Sequence, residues 1–284
     1  MNNRRYFSRR TLLLLFVLSV VFHSSSLLGV NWSIVPLGFN FNPSPGDTLT
    51  NVLTVRNSGD IDEELIIYIK DIQYDADGNG KELEPGNIDR GLAKWTDIFP
   101  ERLTVKAGEN KQVRFTISIP EEIDSGSYWA NMYEESVNNP TLMSKNNREG
   151  REVSIFSNIR YKINLNATVT GDYIKSGEIT NIEVIPNEID TLLVIHTTFE
   201  NIGDVILRCN GRIEIRDEMG ETVETLSLGD FKTYPQCIRV LKKIVPSSLM
   251  PGEYSALAVI DYGGDYLIAG EAFFEVDNKD EQTE

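Results

Sequence analysis

The chain has 284 residues, 40% of them hydrophobic, which supplies apolar side chains for two packed domains of ordinary size. Its formal net charge is -16. The stretch before Val30 holds Arg4, Arg5, Arg9 and Arg10 and no acid; without it 23 basic residues face 43 acidic ones, and the charge is 23 - 43 = -20. A field of that sign repels phosphate backbones, which excludes nucleic acid as a partner and suits a solvated exported surface or a basic partner.

The N-terminus has the form of an export signal. A basic stretch, Arg4 to Arg10, precedes an apolar run, Leu12 to Phe22, that is too short to span a bilayer comfortably. His23 to Gly29 is small and polar, so residues 1–29 are read as a signal peptide cleaved after Gly29. Membrane contact is expected only through this segment, and only if it stays uncleaved.

Asn31 to Phe41 opens the first domain, and Pro43-Ser44-Pro45-Gly46-Asp47 turns the chain. Thr48–Val55 and Glu64–Tyr74 are rich in β-branched residues and read as strands, the second closed by the hairpin Asp75–Gly80. Glu84 to Pro100 lacks a period and reads as a crossing loop, with Trp95 and Phe99 expected to fold back into the core. Arg102–Val105, Gln112–Ile119 and Tyr128–Glu135 follow as strands. Val137 to Gly150 is polar and reads as a long mobile loop. Val153 to Val169 then carries a period-2 pattern: Val153, Ile155, Ile159, Tyr161, Ile163 and Leu165 share one face, and Arg160 and Lys162 lie on the other. One long strand is expected there, closing the domain at 169.

Residues 170–276 carry seven strand signals: Glu178–Ile185, Thr191–Phe199, Val205–Arg216, Glu221–Leu228, Gln236–Val245, Glu253–Tyr262 and Leu267–Val276. Residues 277–284 form an acidic tail expected to be disordered. Two features recur. Asn57-Ser58-Gly59-Asp60 reappears as Asn201-Ile202-Gly203-Asp204, and Asp124-Ser125-Gly126-Ser127-Tyr128 as Met250-Pro251-Gly252-Glu253-Tyr254. Two copies of one β-sandwich plan explain the recurrence. The expected fold is all-β, with two immunoglobulin-like sandwiches in tandem, 30–169 and 170–276, after the signal segment.

Chemistry for catalysis is sparse. His196 is the single histidine after the signal segment, on an apolar strand, so histidine-dependent triads and multi-histidine metal sites are hard to build. Asp75-Ala76-Asp77-Gly78-Asn79-Gly80 has the look of a calcium loop, but its twelfth position is Gly86 instead of a glutamate, and a plain hairpin turn is the expectation. No cofactor, no metal and no enzymatic activity are expected. Cys209 and Cys237 start the third and fifth strands of the second domain, at one end of a sandwich with strands in up-and-down order. A disulfide is expected between them, with two buried free thiols as the alternative.

Three stretches carry a family resemblance: Phe41 to Gly59 (FNPSPGDTLTNVLTVRNSG), Trp95 to Pro120 with LTVKAGENKQVRFTISIP, and Gly126-Ser127-Tyr128-Trp129-Ala130. Over residues 33–136 the chain resembles the N-terminal immunoglobulin-like domain of periplasmic pilus-assembly chaperones and of related Gram-positive surface proteins that work with WxL-domain partners. The resemblance implies an exported, chaperone-like protein that binds a secreted or surface subunit by strand addition along the last strand of the first domain. Val153, Ile155, Ile159, Arg160, Tyr161, Lys162, Ile163 and Leu165 would then meet the partner. It also implies a basic pair in the cleft that holds a subunit's terminal carboxylate. Arg160 or Lys162 would supply one member, but Asn31 to Phe41, where the other should lie, has no Arg or Lys. A second function class is an adhesin or cell-wall polymer binder using Trp129 and Tyr133 as exposed aromatics.

Overall fold

The computed structural model describes residues 32–137, 141–148, 151–157, 159–186, 192–246 and 248–277. The expected signal peptide and most of the acidic tail lie outside the described residues. The first domain contains β1 (Trp32–Val35), β2 (Gly38–Phe41), β3 (Thr48–Asn57), β4 (Glu63–Tyr74), β5 (Gly80–Leu83), β6 (Thr96–Phe99), β7 (Arg102–Val105), β8 (Asn110–Ser118), β9 (Gly126–Ser136), β10 (Thr141–Arg148), β11 (Arg151–Ser157) and β12 (Arg160–Val169). One sheet has the order β1-β3-β8-β6; the other runs β2-β12-β9-β4-β5, with β7 also on β4. The opening segment is shared: β1 pairs with β3 in one sheet, and beyond Pro36 β2 pairs in parallel with β12 in the other.

The second domain contains β13 (Gly177–Pro186), β14 (Leu193–Asn201), β15 (Leu207–Arg216), β16 (Thr222–Thr233), β17 (Ile238–Ile244), β18 (Gly252–Asp261) and β19 (Ile268–Val276). Its sheets are β13-β14-β17 and β16-β15-β18-β19. The chain is therefore all-β, two sandwiches, each around its own apolar cluster. Alternation builds these cores: Leu53 and Val55, Val113, Phe115 and Ile117, and Leu65 and Ile67 all point inward.

The recurring motifs do the same work twice. Asn57 and Asn201 are fully buried at the ends of β3 and β14. Asn57 Nδ2 donates to the carbonyls of Ile61 and Val105, and its Oδ1 accepts from Gly59 N. Asn201 Nδ2 donates to those of Val205 and Thr233, and its Oδ1 accepts from Gly203 N. Each side chain thus satisfies backbone groups that the strand end leaves unpaired. Tyr128 and Tyr254 each donate a hydroxyl hydrogen bond to the carbonyl four residues upstream, at Asp124 and Met250. That is the tyrosine corner of immunoglobulin-like sandwiches, present in both halves.

Four details depart from the sequence reading. Phe99 is exposed: in the alternation of β6, Ile98 faces inward, so Phe99 faces out, and Leu92 and Ala93 fill the core instead. Residues 141–148, expected as loop, form β10, paired antiparallel with β11. The single long strand from Val153 to Val169 is two, because β11 ends at Ser157 in the hairpin with β10 and β12 starts at Arg160 in the main sheet. In the second domain β16 runs on past its expected end at Leu228 to Thr233. Gly229, at φ 73°, turns the chain through a bulge opposite Gly211 and Arg212 and lets pairing resume.

Candidate functional site

The two domains meet through a compact aromatic cluster. Residues on one face of β9, Tyr128, Ala130 and Met132, enter the first core, so Trp129 and Tyr133 turn toward the second domain. Tyr234, beyond β16, stacks on Tyr74 with centroids 4.0 Å apart and packs at a tilt of 50° against Trp129 at 4.8 Å. The Tyr234 and Tyr74 hydroxyls are 2.9 Å apart, and Trp129 Nε1 donates to the Ile72 carbonyl at 2.7 Å. Burial raises the pKa of both phenols, so both stay neutral, Tyr234 donating and Tyr74 accepting.

Asp204, the last residue of the second Asn-x-Gly-Asp motif, pins the other side of the junction. Its Oδ1 meets Arg90 Nη2 at 2.9 Å, and its carbonyl accepts from Ser127 N at 2.7 Å. A side chain at Gly126 (φ 114°) would collide with that carbonyl, so glycine is required by conformation and by close approach alike. The Asp75–Gly80 hairpin closes the interface from the first domain. Asp75 Oδ1 accepts from Asn79 N at 2.7 Å, which lowers its pKa. Ala76 O accepts from Val240 N at 2.8 Å, and Asp77 pairs with Lys242 at 3.2 Å. The aspartates of this loop thus fold the turn and dock it on β17.

Between the domains lies a cleft of about 380 Å³ whose lining includes Lys162, Lys232, Arg239, Tyr74, Tyr234 and Cys237. Lys232, on β16, has its pKa lowered first by burial and then by the positive charges of Arg208 and Lys162. Lys162, Lys232 and Arg239 thus gather three cations beside Asp230 in a chain of net charge -16, and a carboxylate bound there would relieve both the repulsion and part of the desolvation. Asn31 to Phe41 supplies no cation, and the second lysine lining this cleft, Lys232, comes from the second domain. Sequence position concealed it, since it stands 70 residues after Lys162.

β12 forms the other half of the site. Asn164 N donates to Leu37 O at 3.1 Å, which fixes the side of β12 that β2 covers. β2 pairs only with Asn164–Ala167, whereas β9 pairs along all of β12. Backbone groups alternate along a strand, so those of Arg160 and Lys162 face the same side as Asn164's, at a point where no strand lies beside them among the described residues. Val35 and Leu37, both exposed, flank this open stretch.

The site residues named from sequence separate by environment. Ile163 and Leu165 are fully buried in the first core. Ile159 and Tyr161 pack partly buried against it, and Tyr161 donates its hydroxyl to Trp32 O at 3.0 Å. The alternating face of β12 is therefore taken up by its own domain; its main-chain edge is what stays open. Arg160 is held by Glu82, bidentate at 2.6 and 3.0 Å, and by the Tyr68 hydroxyl, and it lies 4.2 Å from the Tyr133 ring centroid. That leaves Lys162 as the cleft cation on β12. Val153 and Ile155 belong to β11, opposite Asn146 and Ser144 of β10.

Two expectations are corrected. Trp129 and Tyr133 are buried at the domain junction, so neither is an exposed platform for a polymer. Cys209 and Cys237 are free thiols: β15 carries Cys209 into the second core, whereas Cys237 precedes β17 and packs against the junction cluster. Burial pushes the Cys209 thiol up to about 12.

No protein-family model matches the sequence, and no curated protein matches it. Among solved structures the chain is similar to the class 5 fimbrial chaperone CfaA, at 15% identity over 87% of this chain and 100% of that one, with a TM-score of 0.44. It is also similar to a chain of the CsuC–CsuE chaperone–tip adhesion subunit pre-assembly complex of Acinetobacter baumannii, at 14% identity over 84% and 97%, with a TM-score of 0.46. A PapD-like domain of human CEP192 matches 61% of this chain and 98% of its own at 13% identity, with a TM-score of 0.32. At this level of similarity the neighbours' binding partners do not transfer to this chain.

Proposed function

We propose that this is an exported, non-enzymatic protein of the periplasm or cell surface. It binds a secreted or surface protein subunit by β-edge recognition, in a chaperone-like or scaffolding role. The observation that carries this reading is the uncovered stretch of β12 from Arg160 to Ile163, where the sheet ends on one side before its partner β2 begins. An extended segment laid there gains main-chain hydrogen bonds and covers exposed Leu37. A terminal carboxylate on that segment would sit between Lys162 and Lys232. The aromatic domain junction brings the two lysines into one cleft without help from the partner. The sequence resemblance over residues 33–136 agrees with this mode of binding.

The test is co-expression with the exported subunits encoded beside this chain, followed by purification through a tag on the chain. The expected result is a complex that survives purification, is lost in Lys162→Glu and in Lys232→Glu, and is lost when the subunit's terminal carboxylate is extended by extra residues. Thermal unfolding of the two variants should match the parent. A complex equally stable in both variants would sink the carboxylate site. No complex with any such subunit would sink the reading as a whole.

A further inference from the structure

β19 ends the second domain's larger sheet; among the described residues it is hydrogen-bonded to β18 alone, and β13 of the other sheet lies close along it. Its inward side is occupied: Ile268 and Phe274 pack on the core, and Ile179 and Ile182 of β13 lie against Gly270. Its outward side carries Glu271, Phe273 and Glu275, and Phe273 is 82% exposed. Across the pair, Phe273 faces Ser255, and Glu253 stands directly opposite Glu275. Like charges so placed destabilise a sheet, and an aromatic ring left in water forgoes about 1.5–3 kcal/mol of burial. The depression around them, about 690 Å³, also takes in Asp217 and Glu218. Its one arginine, Arg216, is already paired with Glu214 at 2.7 Å.

We propose that this outer face of β19 forms a second docking surface, for an extended basic segment of a partner protein. Such a segment would lie across β19, cover Phe273 with its apolar side chains and place lysines or arginines between the facing glutamates. The charge pattern selects this occupant. A second copy of the same surface would bring glutamates against glutamates, and an anionic polymer would be repelled. The surface shares no residue with the interdomain cleft, so the proposal is independent of the β12 edge.

Fluorescence anisotropy with short labelled peptides tests it on the purified exported protein. A peptide alternating lysine and valine should bind at least about tenfold more tightly than one alternating glutamate and valine, and salt should weaken it. Phe273→Ser should weaken it by about tenfold, and the pair Glu271→Lys with Glu275→Lys should abolish it. The pair Glu121→Lys with Glu122→Lys changes the net charge equally on exposed residues of the first domain and should leave binding unchanged. Urea unfolding checks that every variant is folded. Equal binding by the β19 variants, or equal loss in the first-domain control, would overturn the proposal. So would a self-associated protein in sedimentation that becomes monomeric in Phe273→Ser, since the occupant would then be another copy.

Discussion

Glu134 gives a sharp test of the packing in the first domain. It sits on β9 between Tyr161 of β12 and Ile67 of β4, on the face that carries Met132 into the core. It is fully buried, and neither carboxylate oxygen meets a hydrogen-bond donor. Burial pushes its pKa up from 4.5 to about 8. A carboxyl whose folded pKa exceeds its unfolded one binds its proton more tightly in the native state. Its contribution is therefore fully present below pH 4.5, is lost as pH rises toward about 8, and is constant above that. At about 1.4 kcal/mol per pH unit, ionising it in place costs about 5 kcal/mol. Rearrangement that admits water relieves part of this, so about 2–5 kcal/mol is the measurable range. Urea unfolding of the parent and Glu134→Gln at about pH 5, 7 and 9 isolates the effect, since every other titrating group cancels in the difference. The variant should match the parent near pH 5 and exceed it by that amount at pH 9. Two profiles that run parallel across the whole range would refute the argument, because they would mean that the carboxylate reaches solvent or a cation.

Tyr234→Ala removes two ring contacts and one hydroxyl bond from the junction, at a cost of about 3–5 kcal/mol. Calorimetry should then resolve two unfolding transitions where the parent shows coupled ones. Asn57→Ala and Asn201→Ala each strand two carbonyls, at least one of them buried, and should each cost about 2–4 kcal/mol in urea titrations. Lys162→Gln removes one of the charges that depress Lys232, so the Lys232 pKa should rise when followed by side-chain NMR; an unmoved titration would place the two lysines apart. Ile163→Lys should unfold the first domain instead of silencing a surface, because Ile163 has no exposed area to lose.

Much of this architecture was legible from local pattern. Short β-rich runs divided by turn signals located all seven strands of the second domain, and the paired Asn-x-Gly-Asp and Gly-x-Tyr motifs marked matching corners of two sandwiches. These signals work because each depends on a few neighbouring residues: a buried asparagine accepts from the N–H two positions on and donates to the carbonyl four positions on, and a tyrosine reaches back four. What local pattern left undecided was the destination of each face. The alternating run on β12 looks the same whether its apolar side meets a partner or its own core, and only the opposing sheet shows that Ile163 and Leu165 are already covered. Polar residues 141–148 gave no strand signal because a two-stranded ribbon is held by backbone bonds, which carry no sequence period. Lys232 joins Lys162, and Asp204 joins Arg90, only once two domains meet, and contacts across that separation in sequence leave no trace in either segment alone. Residue order determined the strands and their corners; the docking of one sandwich on the other decided which side chains remain free to bind.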